Sequence, residues 1–301
     1  TVLMKEKLKD FCKSINIECV GIAPAKPYHD YEEIWKKQIE RGYVSGFEEA
    51  DINKRIYPEL TLKGAKSVIV CLFPYYCGRV PDANLSKSAF SRDYHLIVKD
   101  KLELIGKFLE NNIEGFEYKA FADSGPFSDR HLAYLAGLGF FGINGNLIND
   151  RYGSYFFIGY LLNNYPFEAD KALEKSCMQC FACVRNCPGQ CILGDFSINP
   201  LRCRSYISQK KRDLSVEDKE ILKKQPLLYG CDLCQDVCPH NRDVKNTIIE
   251  EFLQELTFRL EYEELKNMSN REFMKKYHDR AFAWRGKAVL VRNHEIINGL
   301  Q

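Results

Sequence analysis

A layered domain of alternating helices and strands, followed by a cysteine-bound metal module and a helical tail, is the architecture the sequence predicts. Three observations predict it. Four short apolar runs alternate with helix-spaced segments across residues 1–168, the pattern of an α/β or α+β layer fold. Nine of the thirteen cysteines fall between Cys177 and Cys238, inside a segment (169–242) with little periodicity. Residues 243–301 then return to helical spacing with mixed charge.

The elements follow in order. Leu3, Leu8, Phe11, Cys12 and Ile15 have helical spacing, and residues 19–22 are short, apolar and suited to a buried strand. Residues 67–73 (SVIVCLF) are β-branched and stop at Pro74, which marks a stronger strand. Residues 93–111 are amphipathic, with Ile97, Leu102, Ile105, Phe108 and Leu109 on one helical face. Residues 116–122 alternate like a strand and run into the turn Asp123-Ser124-Gly125-Pro126. Ser128 suits the cap of a helix through Ala136, closed by Gly137 and Gly139. Residues 155–162 (YFFIGYLL) complete the strands; a helix is expected after Ser215 and another from near Ala288.

Composition removes several classes of function. A net charge of +2 gives no overall basic field for nucleic acid, although local patches such as Lys210-Lys211-Arg212, and Arg202 with Arg204, offer phosphate contacts. No apolar run approaches the ~20 residues that span a bilayer, and the N-terminus lacks the pattern of an export signal. The cysteines therefore read as metal-bound thiolates in a reducing cytoplasm rather than a disulfide scaffold.

The cysteine motifs carry the chemistry. Cys177-x2-Cys180-x2-Cys183-x3-Cys187-Pro188 matches the bacterial ferredoxin run, in which three close cysteines grip one cubane and the fourth ligates a second. Cys231-x2-Cys234-x3-Cys238-Pro239 forms the second set. One [4Fe–4S] cluster takes Cys177, Cys180, Cys183 and Cys238, while the other takes Cys231, Cys234 and Cys187. That leaves one ligand to find; Cys203 is favoured and Cys191 competes. Zinc, which prefers separated CxxC pairs, is the alternative metal. Cys12, Cys19, Cys71 and Cys77 lie in apolar segments and read as core thiols. Two clusters suit electron relay, so the α/β domain is expected to hold a redox cofactor or a substrate; a plain two-cluster electron carrier is the competing class.

At this point the motifs are recognisable. Residues 201–208 (LRCRSYIS), Asp93-Tyr94-His95, Asp123-Ser124-Gly125-Pro126, Ala136 to Phe140 and the run from Gly230 to Pro239 resemble the epoxyqueuosine reductases. Arg55 and Pro58 fit the same pattern, and the reductive dehalogenases are similar in plan. The resemblance implies a cobalamin-binding domain of the reductive-dehalogenase or nitroreductase-like kind, with a ferredoxin-like two-cluster module. It implies base-off cobalamin reduced through the clusters, acting on the epoxide of epoxyqueuosine in a tRNA anticodon stem-loop and yielding alkene and water. Asp123 matches the proton donor, though the same residues also suit a simple turn. His95, Ser124, Gly139, Gly142, Asn144 and Tyr206 are the expected cofactor contacts, with Tyr206 alternatively stacking on a base or packing over a cluster. Ile143 and Phe140 replace the family's usual lysine and tryptophan. An external donor of flavodoxin or ferredoxin type, a monomeric state and a short or truncated form without the helical repeats beyond Arg292-Asn293 complete the expectation. A related corrinoid reductase of a small molecule is the runner-up.

Overall fold

The computed structural model describes residues 2–300, so the two terminal residues, Thr1 and Gln301, lie outside the description. The chain divides into two compact units. The first comprises the chain up to Pro74, His95–Gly142 and Asn146–Gln179; the second comprises Tyr75–Tyr94, Ile143–Gly145 and everything from Cys180. These limits cross the sequence boundaries, because two short segments of the N-terminal half belong to the second unit.

The first unit is built on one sheet. Its elements are α1 (Val2–Ser14), β1 (Cys19–Pro24), α2 (His29–Glu40), α3 (Ile52–Ile56), β2 (Ser67–Pro74), α4 (Tyr94–Asn112), β3 (Tyr118–Ala122), α5 (Asp129–Leu135), the two-residue strands β4 (Phe140–Phe141) and β5 (Leu147–Ile148), and β6 (Phe156–Asn163). The strand order is β1-β2-β6-β3, and every pairing is antiparallel. β2 is buried at all eight positions, which explains its unbroken apolar run: helices cover both of its faces. Val68, Val70 and Leu72 face α5 through Leu132, Ala133 and Ala136. On the other face, Val98 and Leu102 of α4 lie so close to Gly159, beside Phe73, that a side chain at 159 would collide. Alternation along one strand thus feeds two cores. Cys12 and Cys71 are fully buried, as expected of core thiols.

The second unit is mostly short helices: α6 (Ala182–Asn186), α7 (Arg204–Ile207), α8 (Val216–Lys223), α9 (Leu233–Asp236), α10 (Tyr262–Asn267), α11 (Asn270–Tyr277) and α12 (Lys287–Asn298). Ser215 starts α8 and Ser269 starts α11, each through a reciprocal capping box with Asp218 and Glu272. α12 packs on α8 and α10, and Asn293 from its centre donates to the Ser208 and Leu228 carbonyls.

Arg204 corrects an expectation. It is not a phosphate contact: it is 1% exposed and its guanidinium donates to the carbonyls of Leu222, Gln225, Leu227 and Gly230. A delocalised cation with a fork of five donors can tie down one loop in this way; a lysine cannot. The loop it fixes ends one residue before Cys231. Ser128 also differs from expectation, since it occupies the cap of α5 without a side-chain hydrogen bond.

Candidate functional site

Two sites emerge, one in each unit. In the first unit, β3 ends at Ala122 and the chain turns at once. The Ser124 amide donates to the Ala122 carbonyl at 2.8 Å, and Asp123 between them has φ +63°. A bond from residue i+2 back to i with a positive φ at the centre is the mark of the classic γ-turn, the rare and strained form. A residue with a Cβ seldom sits there unless the surroundings hold it, and such residues gather at functional sites. The turn leaves the carboxyl exposed, and Oδ2 lies 3.4 Å from His95 Nε2 at the start of α4. The sequence offered both residues separately; the pairing across 28 positions is what folding adds (123 − 95).

A second carboxyl completes this end of the sheet. Asp129, the first residue of α5, is pushed up to about 8, by burial first and by the Asp123 charge second, against the pull of Arg130 and Arg55. It therefore holds a proton near neutral pH. Arg55 is buried, with its guanidinium 4.1 Å from the Trp35 ring centre and Nη2 donating to Tyr31 Oη at 2.6 Å. Sequence reading passed over Asp129 because an acidic residue at the first position of a helix is ordinary. Its proximity to Asp123, six residues back across a turn, was the available signal.

Ser124 takes part only through the amide that closes the turn. Gly139 has an internal reason to be glycine: a Cβ there would stand 2.5 Å from the Ile148 carbonyl oxygen. The Gly142 amide donates to Asn146 in the same hairpin. Phe140 and Ile143, where the family pattern has tryptophan and lysine, are both buried.

In the second unit, α6 holds Cys183 and α9 holds Cys234, and the two helices pack against each other. Cys187 follows α6 and Cys238 follows α9, each in an extended conformation (ψ 118° and 124°). The following prolines enforce this by disfavouring helical backbone before them, so both cysteines leave their helices at the same point of the motif. Cys183, Cys187 and Cys191 are buried, and none of the cysteines is in a disulfide. Cys187 Sγ accepts from the Cys191 amide at 3.3 Å and touches Cys191 Sγ at 3.4 Å. Cys191 also bonds Cys203, and the three sulfurs share protons unevenly. Cys187 is lowered to about 5 and Cys203 to about 7, each chiefly through Cys191, whose own thiol is pushed far up. Asn144 donates to the Cys234 carbonyl at 3.3 Å, and Lys210 Nζ stands 5.5 Å from the Tyr206 ring centre.

Two family models match the chain. Residues 55–124, which end on the γ-turn, match the model described as epoxyqueuosine reductase QueG, DUF1730. Residues 176–241 match the 4Fe-4S double cluster binding domain. The chain is 34% identical to the epoxyqueuosine reductase of Staphylococcus aureus over 97% of its length and 79% of the relative's. It is also 34% identical to the Listeria monocytogenes enzyme, over 98% and 80%. Among solved structures, selenomethionine-labelled epoxyqueuosine reductase superposes with a TM-score of 0.92 at 32% identity, covering 98% of this chain and 81% of that one. The same score, identity and coverage hold for an epoxyqueuosine reductase solved with an epoxyqueuosine-modified tRNA-Tyr stem loop.

Proposed function

The chain belongs to the epoxyqueuosine reductase family, and from that premise we propose that it reduces the epoxide of epoxyqueuosine in a tRNA anticodon loop to the alkene of queuosine. Two electrons and two protons enter, and the epoxide oxygen leaves as water. The observation that carries the reading is Asp123: a carboxyl displayed on a strained turn, open to solvent and partnered by His95.

The chain's own residues then divide the work. Asp123 donates a proton to the departing oxygen, and His95, 3.4 Å away, resupplies it. Asp129, kept neutral chiefly by burial, adds no negative charge to this end of the sheet. Cobalamin, when bound, supplies the strongly reducing nucleophile that opens the epoxide. Its fit is supported by the openness of this sheet end, where the Asp123 and His95 side chains are 60% and 43% exposed. Among the proposed cofactor contacts, Ser124 lies on that turn and His95 beside it at the start of α4; Gly139, Gly142, Asn144 and Tyr206 act through the backbone approach or polar contact that each offers.

Cys177, Cys180, Cys183 and Cys238 hold one [4Fe–4S] cluster, and Cys231, Cys234, Cys187 and Cys203 the other. None of the eight is in a disulfide, and Cys177, Cys183 and Cys187 are buried, which fits such groups. The corners of a cubane hold its ligand sulfurs apart, so two sulfurs in contact cannot both serve one cluster. With Cys187 a ligand, Cys191 against it is excluded, which favours Cys203. The electrons come from a flavodoxin- or ferredoxin-type donor, and the enzyme works as a cytoplasmic monomer. Among the described residues, no helix is long and apolar enough to cross a membrane.

The test is anaerobic incubation of the reconstituted, cobalamin-loaded protein with an epoxyqueuosine-containing anticodon stem-loop, followed by nucleoside analysis. Queuosine is the expected product. Unchanged epoxyqueuosine, with both clusters and cobalamin present, would refute the reading.

A further inference from the structure

Arg204 joins two cysteine segments proposed above for one cluster, and its charge has no carboxylate partner. The residue follows Cys203 directly, and its Nη1 donates at 2.9 Å to the carbonyl of Gly230, the residue before Cys231. Its five hydrogen bonds all end on backbone carbonyl oxygens. We propose that Arg204 is the buried counter-cation of the cluster held by Cys231, Cys234, Cys187 and Cys203, stabilising its reduced form and so setting the potential at which it accepts an electron. The inference rests on the two-cluster reading above and deepens it.

The argument starts from the cost of the charge. Carbonyl dipoles solvate a guanidinium but do not neutralise it, and a buried ion normally has an opposite charge beside it. Among the described residues no carboxylate forms an ion pair with Arg204. The acidic residues of α8, on which α7 packs, are taken elsewhere: Glu217 by Arg202, Asp218 by Lys210 and Glu220 by Lys223. Asp232, next to Cys231, accepts from the Lys87 amide at 2.8 Å and lies 3.4 Å from Lys87 Nζ. Burial works against the Arg204 charge, and the groups that support it are the sulfurs of Cys231 first and Cys203 second. The partner of this cation is therefore the anionic cluster that those sulfurs hold. A cubane with its thiolates gains one negative charge on reduction, so a fixed cation in a low-dielectric interior favours the reduced form. Arginine suits the task because it stays charged at every accessible pH.

The loop has a second tie, which lets the charge be tested apart from the clamp. The Gly230 amide donates to Ser208 Oγ at 3.0 Å, a bond that does not involve Arg204.

An EPR-monitored redox titration of the reconstituted protein, carrying both clusters, reads the effect without turnover. The step to follow is the one that disappears in Cys187→Ala. Arg204→Gln is expected to make that reduction about tenfold less favourable, a midpoint lower by ~59 mV for one electron. Arg204→Lys keeps the charge while losing most of the carbonyl bonds, and should return the midpoint most of the way to the parent's. Lys223→Gln makes the same charge change in solvent beside Leu222, and should leave the midpoint unmoved because exposed charge is screened. The proposal is overturned if Arg204→Gln leaves the midpoint in place, if Arg204→Lys lowers it as far as Gln does, or if Lys223→Gln lowers it equally. If Arg204→Gln cannot hold the second cluster, the lysine variant decides. About eight irons and a midpoint near the parent's support the counter-cation. Loss of that cluster in both variants makes Arg204 a loop clamp only and overturns the proposal. These failures leave the two-cluster reading intact, because the parent carries both clusters. A parent holding far fewer than about eight irons overturns both.

Discussion

The γ-turn at Asp123 and the thiol group at Cys187 do comparable jobs by opposite means. The thiols are set by local spacing: short helices, a proline after each terminal cysteine and a buried Arg204 that fixes the loop before Cys231. Asp123, the proposed acid, is set by assembly. A strand end, a helix start 28 residues earlier and a backbone conformation that side chains avoid must coincide. A ligand set written into one stretch of chain tolerates change around it, whereas an assembled acid is sensitive to changes far away in sequence.

The largest effect expected on this contrast comes from Cys187→Ala. It should remove one cluster, leaving about four of eight irons, and abolish turnover. Cys191→Ala, one residue type in contact with it, should keep about eight irons. Iron analysis and low-temperature EPR read both. Half the iron lost in the Cys191 variant would instead make Cys191 the ligand and erase the distinction between donor and neighbour.

Next comes Asp123→Asn, expected to retain iron and cobalamin while turnover falls roughly 10²- to 10⁴-fold, the usual worth of a positioned general acid. Single-turnover rates near the parent's would remove Asp123 from its role. His95→Gln should cost less, about 10-fold, because a resupplying group does not touch the breaking bond, and the loss should grow as the solution is made more alkaline and protons become scarcer. A loss independent of pH would make His95 a structural partner only.

The smallest effect concerns stability. Asp129 titrates from 3.8 in the ordinary case to about 8 in the fold. Between those values the folded chain holds a proton that the unfolded chain has released, so this group's contribution to stability falls as pH rises through the window. Asp129→Asn should flatten that dependence and raise the melting temperature at pH 8 by roughly 2–4 °C, about 1 kcal/mol for a chain of this size class. A melting curve with the same pH slope as the parent would show that Asp129 is not neutral in the fold.

The two regions were also unequally legible. The cysteine runs could be read directly because cluster ligands lie close in sequence. The sequence already favoured Cys203 over Cys191, and the contact between Cys187 and Cys191 is the observation that supports this preference in the proposal. The strands at β1, β2, β3 and β6 followed from apolar runs, but their order and uniformly antiparallel pairing did not, since helices intervene between most of them. Asp123 was visible through family resemblance, while its positive φ and its His95 partner were not. Arg204 was misread for a physical reason: charge in a sequence suggests solvent, and four carbonyls waiting in a buried loop leave no trace in residue type.

The backbone at position 123 also carries an evolutionary consequence. Glycine would adopt the same conformation without a Cβ penalty, relieving roughly 1–3 kcal/mol of local strain. Asp123→Gly is thus a substitution that a lineage released from its task would drift toward, gaining robustness as it lost chemistry.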